Sequence, residues 1–221
     1  MEIHVSPTPA VATAAADQAL SRSLLDRVAH EELDGALRIW KPVPVLALSR
    51  LDELRDGAAV ARELASAAGF EAITRISGGH AVVLGNGSLC VGIAEAAATF
   101  ERTRDRYERL TAAVIDALQA VGIDAEQGEL EGEWCPGAWS VRSGGVKLAG
   151  LAQRAIKGGG WAEAVIELAP DPTARDLLGQ VYEALELPLD QTTIGSVSEL
   201  TGTPTSFDRV ADPLLSALSA G

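Results

Sequence analysis

Apolar residues fall at helical spacing in five stretches of the chain, with strand-like runs between them. Leu20, Leu24, Leu25 and Val28 share one helical face, with Asp17, Arg22 and Asp26 off it. Thr13 stands where an N-cap is needed. Val60, Leu64 and Ala67 align over 57–68, and Gly69 takes the place of a C-terminal glycine. Residues 103–121 carry the clearest stripe: Tyr107, Leu110, Val114, Ala117 and Leu118. Arg104, Arg106 and Arg109 lie mostly outside that stripe, and Gly122 follows it. Asp171 and Pro172 open a helix over 171–185, and Val210, Leu214, Leu215 and Leu218 mark a last one over 208–219.

The strand-like runs come in groups. "ALRIW" (36–40) and "PVLALS" (44–49) are joined by Lys-Pro-Val-Pro, and proline there favours an edge or a strand start. Residues 71–93 read as strand, glycine turn, strand, Gly-Asn-Gly turn, strand. After residue 129 three more runs follow, at 139–142, 146–156 and 161–168, with turns at Gly144-Gly145 and at Gly158-Gly159-Gly160. Residues 1–12 show no period and read as a flexible arm. Strands in hairpin pairs, separated by single helices, predict an α+β fold. We expect a mixed, largely antiparallel sheet flanked by helices, in a single domain over 13–221 with no C-terminal accessory domain.

Composition narrows the function. At 221 residues the chain can bury a sizeable core. A formal net charge of −13 argues against general affinity for nucleic acid, because phosphate-backbone binding needs a basic stripe. No apolar run approaches the ~18 residues of a membrane span, and the start lacks the charged-then-apolar pattern of a signal peptide. Cys90 and Cys135 make neither a disulfide framework nor a CxxC pair. The expectation is a soluble, cytoplasmic protein without a nucleic-acid or membrane partner. His4, His30 and His80 recur at no metal-binding spacing, so no metal site is expected.

Two segments stand out against the acidity. Residues 141–160 hold no acid, yet gather Arg142, Lys147, Arg154 and Lys157 among six glycines, which points to an anionic ligand. If 145–150 form a strand, Lys147 and Ala149 share one face while Val146, Leu148 and Gly150 share the other. Lys147 would then sit among small neighbours, with room for a phosphate or a carbonyl oxygen beside it. A solvent-facing lysine on an edge strand is the plain alternative. The second segment runs from Arg75 to Gly92. The Ser77-Gly78-Gly79 turn exposes consecutive N–H groups that can nest an anion, and Arg75 adds a full charge nearby. A hairpin turn that simply needs glycine is the alternative there, and the run is not a Walker loop.

Together the segments resemble a known family. "TRISGGHAVV" (74–83), followed some seventy residues later by "GGVKLAGLAQR" (145–154), is similar to the paired motifs of the lipoate–protein ligase A family. That family groups with biotin protein ligases and octanoyltransferases. "AAADQALSRSLLDRV" (14–28), "LRIWKPVPVLALSR" (37–50) and "VYEALELPLD" (181–190) extend the resemblance over roughly 12–200. It implies the biotin/lipoate ligase catalytic fold. It also implies transfer of lipoate or octanoate onto a lysine of a lipoyl domain, in a 2-oxoacid dehydrogenase or the glycine cleavage protein. Carried over residue by residue, Arg75, Ser77, Gly78, Gly79, His80, Ala81, Val82 and Val83 would hold an acyl-adenylate or its phosphate. Lys147 would contact the acyl carbonyl, with Gly150 in the same motif. ATP, with its Mg, would activate the acid.

"GEWCPGAWSV" (132–141) adds a second route. Cysteine-dependent octanoyltransferases of this superfamily carry a cysteine near this place and take octanoate from acyl carrier protein through a thioester. Cys135 is the matching residue, with Lys147 or Arg75 as the cation beside it. An inert cysteine in a Trp-Cys-Pro turn is the alternative, and Cys90, inside an apolar strand, reads as core. The sequence departs from the family at His80, at Leu84-Gly85 and over Gly158–Ala162. These departures leave a third reading, a non-catalytic relative that binds an acyl group or a lipoyl domain. The acyl-adenylate route is the leading expectation.

Overall fold

In the computed structural model, residues 1–97 and 102–219 are described. In chain order the elements are β1 (Glu2–Ser6), α1 (Ala14–Ala29), β2 (Gly35–Trp40), β3 (Val45–Leu48), α2 (Ala58–Ala67), β4 (Glu71–Thr74), β5 (Val82–Leu84) and β6 (Ser88–Ala97). There follow α3 (Thr103–Ala120), β7 (Glu126–Gln127), β8 (Val141–Ser143), β9 (Val146–Ile156), β10 (Gly158–Glu167), α4 (Pro172–Ala184), α5 (Val197–Thr201) and α6 (Phe207–Ser219). Caps fix two helix starts as expected. The Thr13 hydroxyl accepts from the Ala16 N–H, and the Asp171 carboxylate accepts from the Ala174 N–H ahead of Pro172.

The strands form two sheets. Seven lie in the order β1-β2-β6-β10-β9-β8-β7, antiparallel except for the β1–β2 pair. Three lie in the order β4-β3-β5, with β3–β4 parallel and β3–β5 antiparallel. The α+β class with a mixed, largely antiparallel sheet flanked by helices stands as expected. Alternation along β10 sets the layers. Ala162, Ala164 and Ile166 enter the core formed with α3 and α6. Trp161 and Val165 turn to the other face, where Leu24, Leu25 and Val28 of α1 cover them. A separate core packs β3 and β5 against α2 and α4. The second sheet and α1 thus meet the first sheet over the β10 face that carries Glu163.

Several expectations are corrected. Residues 1–12 are not simply an arm: Glu2–Ser6 pairs with Ala36–Trp40 as an edge strand. Its backbone ladder and a two-pronged Arg27–Glu2 ion pair hold it, while Ile3 and Val5 stay exposed. Without a buried face, no period appears in the sequence. β2 and β3 do not pair, because Pro42 and Pro44 between them offer no N–H and the chain passes to the second sheet. The buried face of α2 is Ala58, Ala61 and Ala65, with Val60 exposed. The helix starts hard against α4, where a Cβ on Gly57 would stand 1.7 Å from the Ala184 oxygen, and small residues pack at that separation. Arg106 is buried rather than outside the α3 stripe, over Gly160, where a Cβ would stand 2.3 Å from the guanidinium carbon. All three glycines therefore lie inside β10, and only the first, Gly158 at φ 88°, adjoins the turn at Lys157. The domain expected over 13–221 includes 98–101 and 220–221, which lie outside the described residues.

Candidate functional site

The site begins with a bulge. Val141 pairs with Ala149 and Arg142 with Lys147, so β9 carries one residue more than β8, Leu148. The extra residue resets the alternation of β9. Lys147 turns to the side of Gly150, with its Cε 3.4 Å from where a Gly150 Cβ would stand. The expected sharing of a face with Ala149 is thereby corrected. Nor does Lys147 face open space. It is fully buried, and its ammonium donates to Glu133 Oε1 (2.9 Å), the Trp134 oxygen (2.7 Å) and the Cys135 oxygen (3.0 Å). The Trp134 ring lies 4.2 Å away, admitted by Gly150, where a Cβ would come within 2.8 Å of the indole. Burial pushes the Lys147 pKa down, and Glu133 pulls it back up. Glu133 also accepts from the Ser140 hydroxyl and the Leu130 N–H, so one buried pair anchors the whole 130–135 loop.

That loop presents Cys135 at φ 41°, a left-handed conformation that costs a non-glycine residue roughly 1–2 kcal/mol. Two bonds impose it. Lys147 holds the Cys135 oxygen, and the Tyr182 hydroxyl accepts from the Cys135 N–H. Tyr182 donates in turn to the Ala81 oxygen at 3.0 Å, and burial pushes its pKa up, keeping that proton in place. The thiol meets the 77–80 turn directly. The His80 N–H lies 3.3 Å from Sγ, and Arg75 Nη2 lies 3.4 Å from it while also donating to the His80 oxygen. Gly79, at φ 97°, is required twice over, since a Cβ would stand 2.6 Å from both Arg75 Nη2 and Cys135 Sγ. Among the described residues Arg75 Nε is buried with no hydrogen-bond partner.

The other expected residues divide between two sides of the turn. Ser77 points inward, donating to Glu163 Oε1, whose other oxygen accepts from Trp161 Nε1 at 2.8 Å. Gly78 and Gly79 line an open cleft with Arg50 and Arg154. The His80 imidazole leans on buried Asp52, Nδ1 to Oδ1 3.2 Å, and Asp52 accepts from the Ser49 N–H. Ala81, Val82 and Val83 are buried in and before β5. The basic residues of 141–160 do not gather, which corrects that expectation. Lys147 lies under the 133–135 loop, Arg154 at the cleft, and Lys157 exposed at a turn. Arg75 and Lys147 do converge, on Cys135 rather than on a gap between them. Cys90 is buried, and burial pushes its thiol well up.

Two cavities adjoin this arrangement. One of about 20 Å³ is lined by Cys135, Trp134, Gly150, Arg75 and Glu163. A second of about 70 Å³ lies between the sheets and α1, lined by Val45, Ala47, Ile73, Val82 and Leu84 among others. Glu133, Asp52, Tyr182 and Glu163 were not found from sequence. Only Glu163 left a signal, a charged residue two places from Trp161 and Val165 on one strand face.

The sequence profile of the lipoyl protein ligase A/B catalytic domain matches residues 13–219. The octanoyl-[GcvH]:protein N-octanoyltransferase of Geobacillus kaustophilus is 27% identical over 208 residues, covering 87% of this chain and 72% of that protein. Its counterpart in Bacillus velezensis is 31% identical over 179 residues, covering 75% and 58%. Among solved structures, lipoate-protein ligase A bound with ATP aligns with a TM-score of 0.72 at 19% identity, over 100% of this chain and 85% of that one. A T. acidophilum lipoate protein ligase with bound lipoic acid gives 0.71 at 18%, with the same coverage. At these identities the structural likeness speaks to the fold.

Proposed function

The chain belongs to the lipoyl protein ligase A/B catalytic-domain family, an enzyme family, and from that premise we propose that it moves an octanoyl or lipoyl group onto a lysine of a lipoyl domain, carrying the group on Cys135 as a thioester. The observation that carries this reading is the convergence on Cys135 Sγ: the His80 N–H at 3.3 Å and Arg75 Nη2 at 3.4 Å, beside a cavity that the same residue lines. Donors aimed at the sulfur can hold negative charge there, and then on the oxygen of an acyl carbon bonded to it. The strained Cys135 backbone, tied at both its N–H and its oxygen, keeps the sulfur aimed at that cavity.

The chemistry balances as an exchange. The sulfur attacks the donor's carbonyl carbon, the S–C bond forms, the donor's bond to that carbon breaks, and the thiol proton leaves with the donor. The acceptor lysine's amine then attacks the thioester carbon. The N–C bond forms, the C–S bond breaks, and a proton of the amine returns to the sulfur. The curated relatives are named for octanoyl-[GcvH] as donor, which supports a lipoyl domain on both sides of the exchange rather than acyl carrier protein.

One observation favours the acyl-adenylate route that the sequence put first. The cleft beside Gly78 and Gly79 holds Arg50 and Arg154, and Arg154 Nε is buried with no hydrogen-bond partner among the described residues. Those groups fit a phosphate, and ATP bound there would supply the activation of a free acid. Against it, the three ammonium protons of Lys147, the residue expected on the acyl carbonyl, are already taken. One experiment separates the routes. The protein is incubated with an octanoylated H protein and an apo lipoyl domain, with and without ATP, and intact masses are followed. We expect an octanoyl adduct that Cys135→Ala abolishes, and transfer without ATP. Pyrophosphate release from octanoate and ATP that survives Cys135→Ala would install the adenylate reading instead. Acyl binding without transfer would make the chain a non-catalytic relative.

A further inference from the structure

The Ser77–Glu163 bond takes no part in the chemistry at the sulfur, yet Glu163 lines both cavities. The cavity at Cys135 encloses about 20 Å³. A single water needs about 10–15 Å³, so this side is small against an eight-carbon acyl chain. The cavity of about 70 Å³ lies beyond and does not reach Cys135. Arg75, Val82, Glu163 and Val165 line both cavities and so stand where the two adjoin. Arg75 is fixed on the His80 oxygen and on Sγ. Val82 and Val165 are short side chains on paired strands. Glu163 is the member whose position depends on two side-chain bonds, from the Ser77 hydroxyl and from Trp161 Nε1. Its neighbours across the sheet are Gly92, whose space the Trp161 indole fills, and Ala152, whose side chain is a single methyl.

We propose that Glu163 is the specificity-determining residue of the acyl site: latched by Ser77 and Trp161, it closes the passage between the two cavities and limits how many carbons the site takes without cost. The proposal rests on the thioester reading only for the end from which the chain enters. The shortest acyl groups stay on the sulfur side with the latch shut. An eight-carbon chain must pull the carboxylate off at least one partner to reach the apolar lining. Each methylene that reaches such a lining strengthens binding about fourfold, so the latch weakens long chains and leaves short ones untouched.

The test is calorimetric binding of butanoate, hexanoate and octanoate to protein carrying Cys135→Ala. With Glu163 present, affinity is expected to rise by less than about fourfold across the series. Adding Glu163→Ala should restore about fourfold per methylene, more than about a hundredfold in all. Removing the charge alters the affinity of every anion alike, so the slope with chain length is the readout. Glu163→Gln, which fills the same space and can accept from Trp161 Nε1 while its amide donates to the Ser77 hydroxyl, should keep the shallow slope. Ser77→Ala opens no large void and removes one latch bond, and it should steepen the slope even if Glu163→Ala does not fold. A slope unchanged in Glu163→Ala and in Ser77→Ala overturns the proposal, whatever Cys135 does. A steepened slope in a protein that never forms an adduct on Cys135 would keep the latch and remove the thioester reading.

Discussion

Lys147 brings a full charge into a site with no solvent access, where Glu133 and two carbonyl oxygens meet it. Coulomb attraction in such a place hardly exceeds the loss of hydration, so the pair adds little net stability, but breaking it leaves one charge stranded. Lys147→Met is therefore expected to cost about 3–5 kcal/mol in urea unfolding. Adding Glu133→Gln to that variant should recover much of the loss, because neither charge of the pair is then left stranded. The two roles open to Lys147 part company here. If it only anchors the 133–135 loop, the double variant regains stability, and its octanoyl transfer falls because Cys135 is loosened, without loss of the adduct itself. Complete loss of the adduct in a double variant as stable as the parent would show that the ammonium acts on the acyl group.

At the scale of elements, the end of β10 carries a half-buried carboxyl. Glu167 accepts from the Ser88 hydroxyl at 3.2 and 3.1 Å, beside the start of α4. Burial raises its pKa from 4.5 to about 7, with Asp171 adding to the rise and Ser88 and Arg175 opposing it. A raised carboxyl binds its proton more tightly in the folded chain than in the unfolded one. Its contribution to stability is thus present below pH 4.5 and lost as the pH climbs through about 7. The loss is on the order of 2–3 kcal/mol. Unfolding by urea at pH 5 and pH 8 should show it in the parent, and Glu167→Gln should flatten the difference. An equal difference in both proteins would assign the dependence to other groups. The same region marks what was legible in the sequence. α3, α4, β6 and the caps Thr13 and Asp171 were readable, because burial on one face writes a period and a cap needs its own residue type. β1 was not, because an edge strand held by its backbone leaves no pattern. Gly158–Gly160 misled, since a glycine that makes room for Arg106 looks like one that makes a turn. In the candidate site, Arg75, the glycine turn, Cys135 and Lys147 stood out in the sequence, and the fold brings them together. Their arrangement was not legible, because a single bulged residue, Leu148, turned Lys147 to the other face. Glu133, Tyr182 and Glu163 reach the site only through the register of distant elements.

Over the whole molecule, the thiol lies on the seam between two structural bodies with separate cores. The Lys147 bond ties its loop to β9 of the larger sheet, and the Tyr182 bond ties it to α4, which packs on the smaller one. The 77–80 turn comes from the smaller sheet, and the apolar cavity is walled by β3, β5, β10 and α1 together. A chain that threads this cavity must touch both bodies, and a group bound to both resists the local openings that let amides exchange. Hydrogen exchange on the protein octanoylated at Cys135 should therefore slow in peptides covering β3 and β5 and in those covering β10. An acetyl group on the same sulfur ends before Glu163 and should slow exchange only around 77–80 and 133–135. The contrast between the two adducts isolates the length of the chain from the act of acylation. If octanoylation protects no more than acetylation does, the tail lies outside the seam, and neither the cavity as an acyl site nor Glu163 as its gate survives.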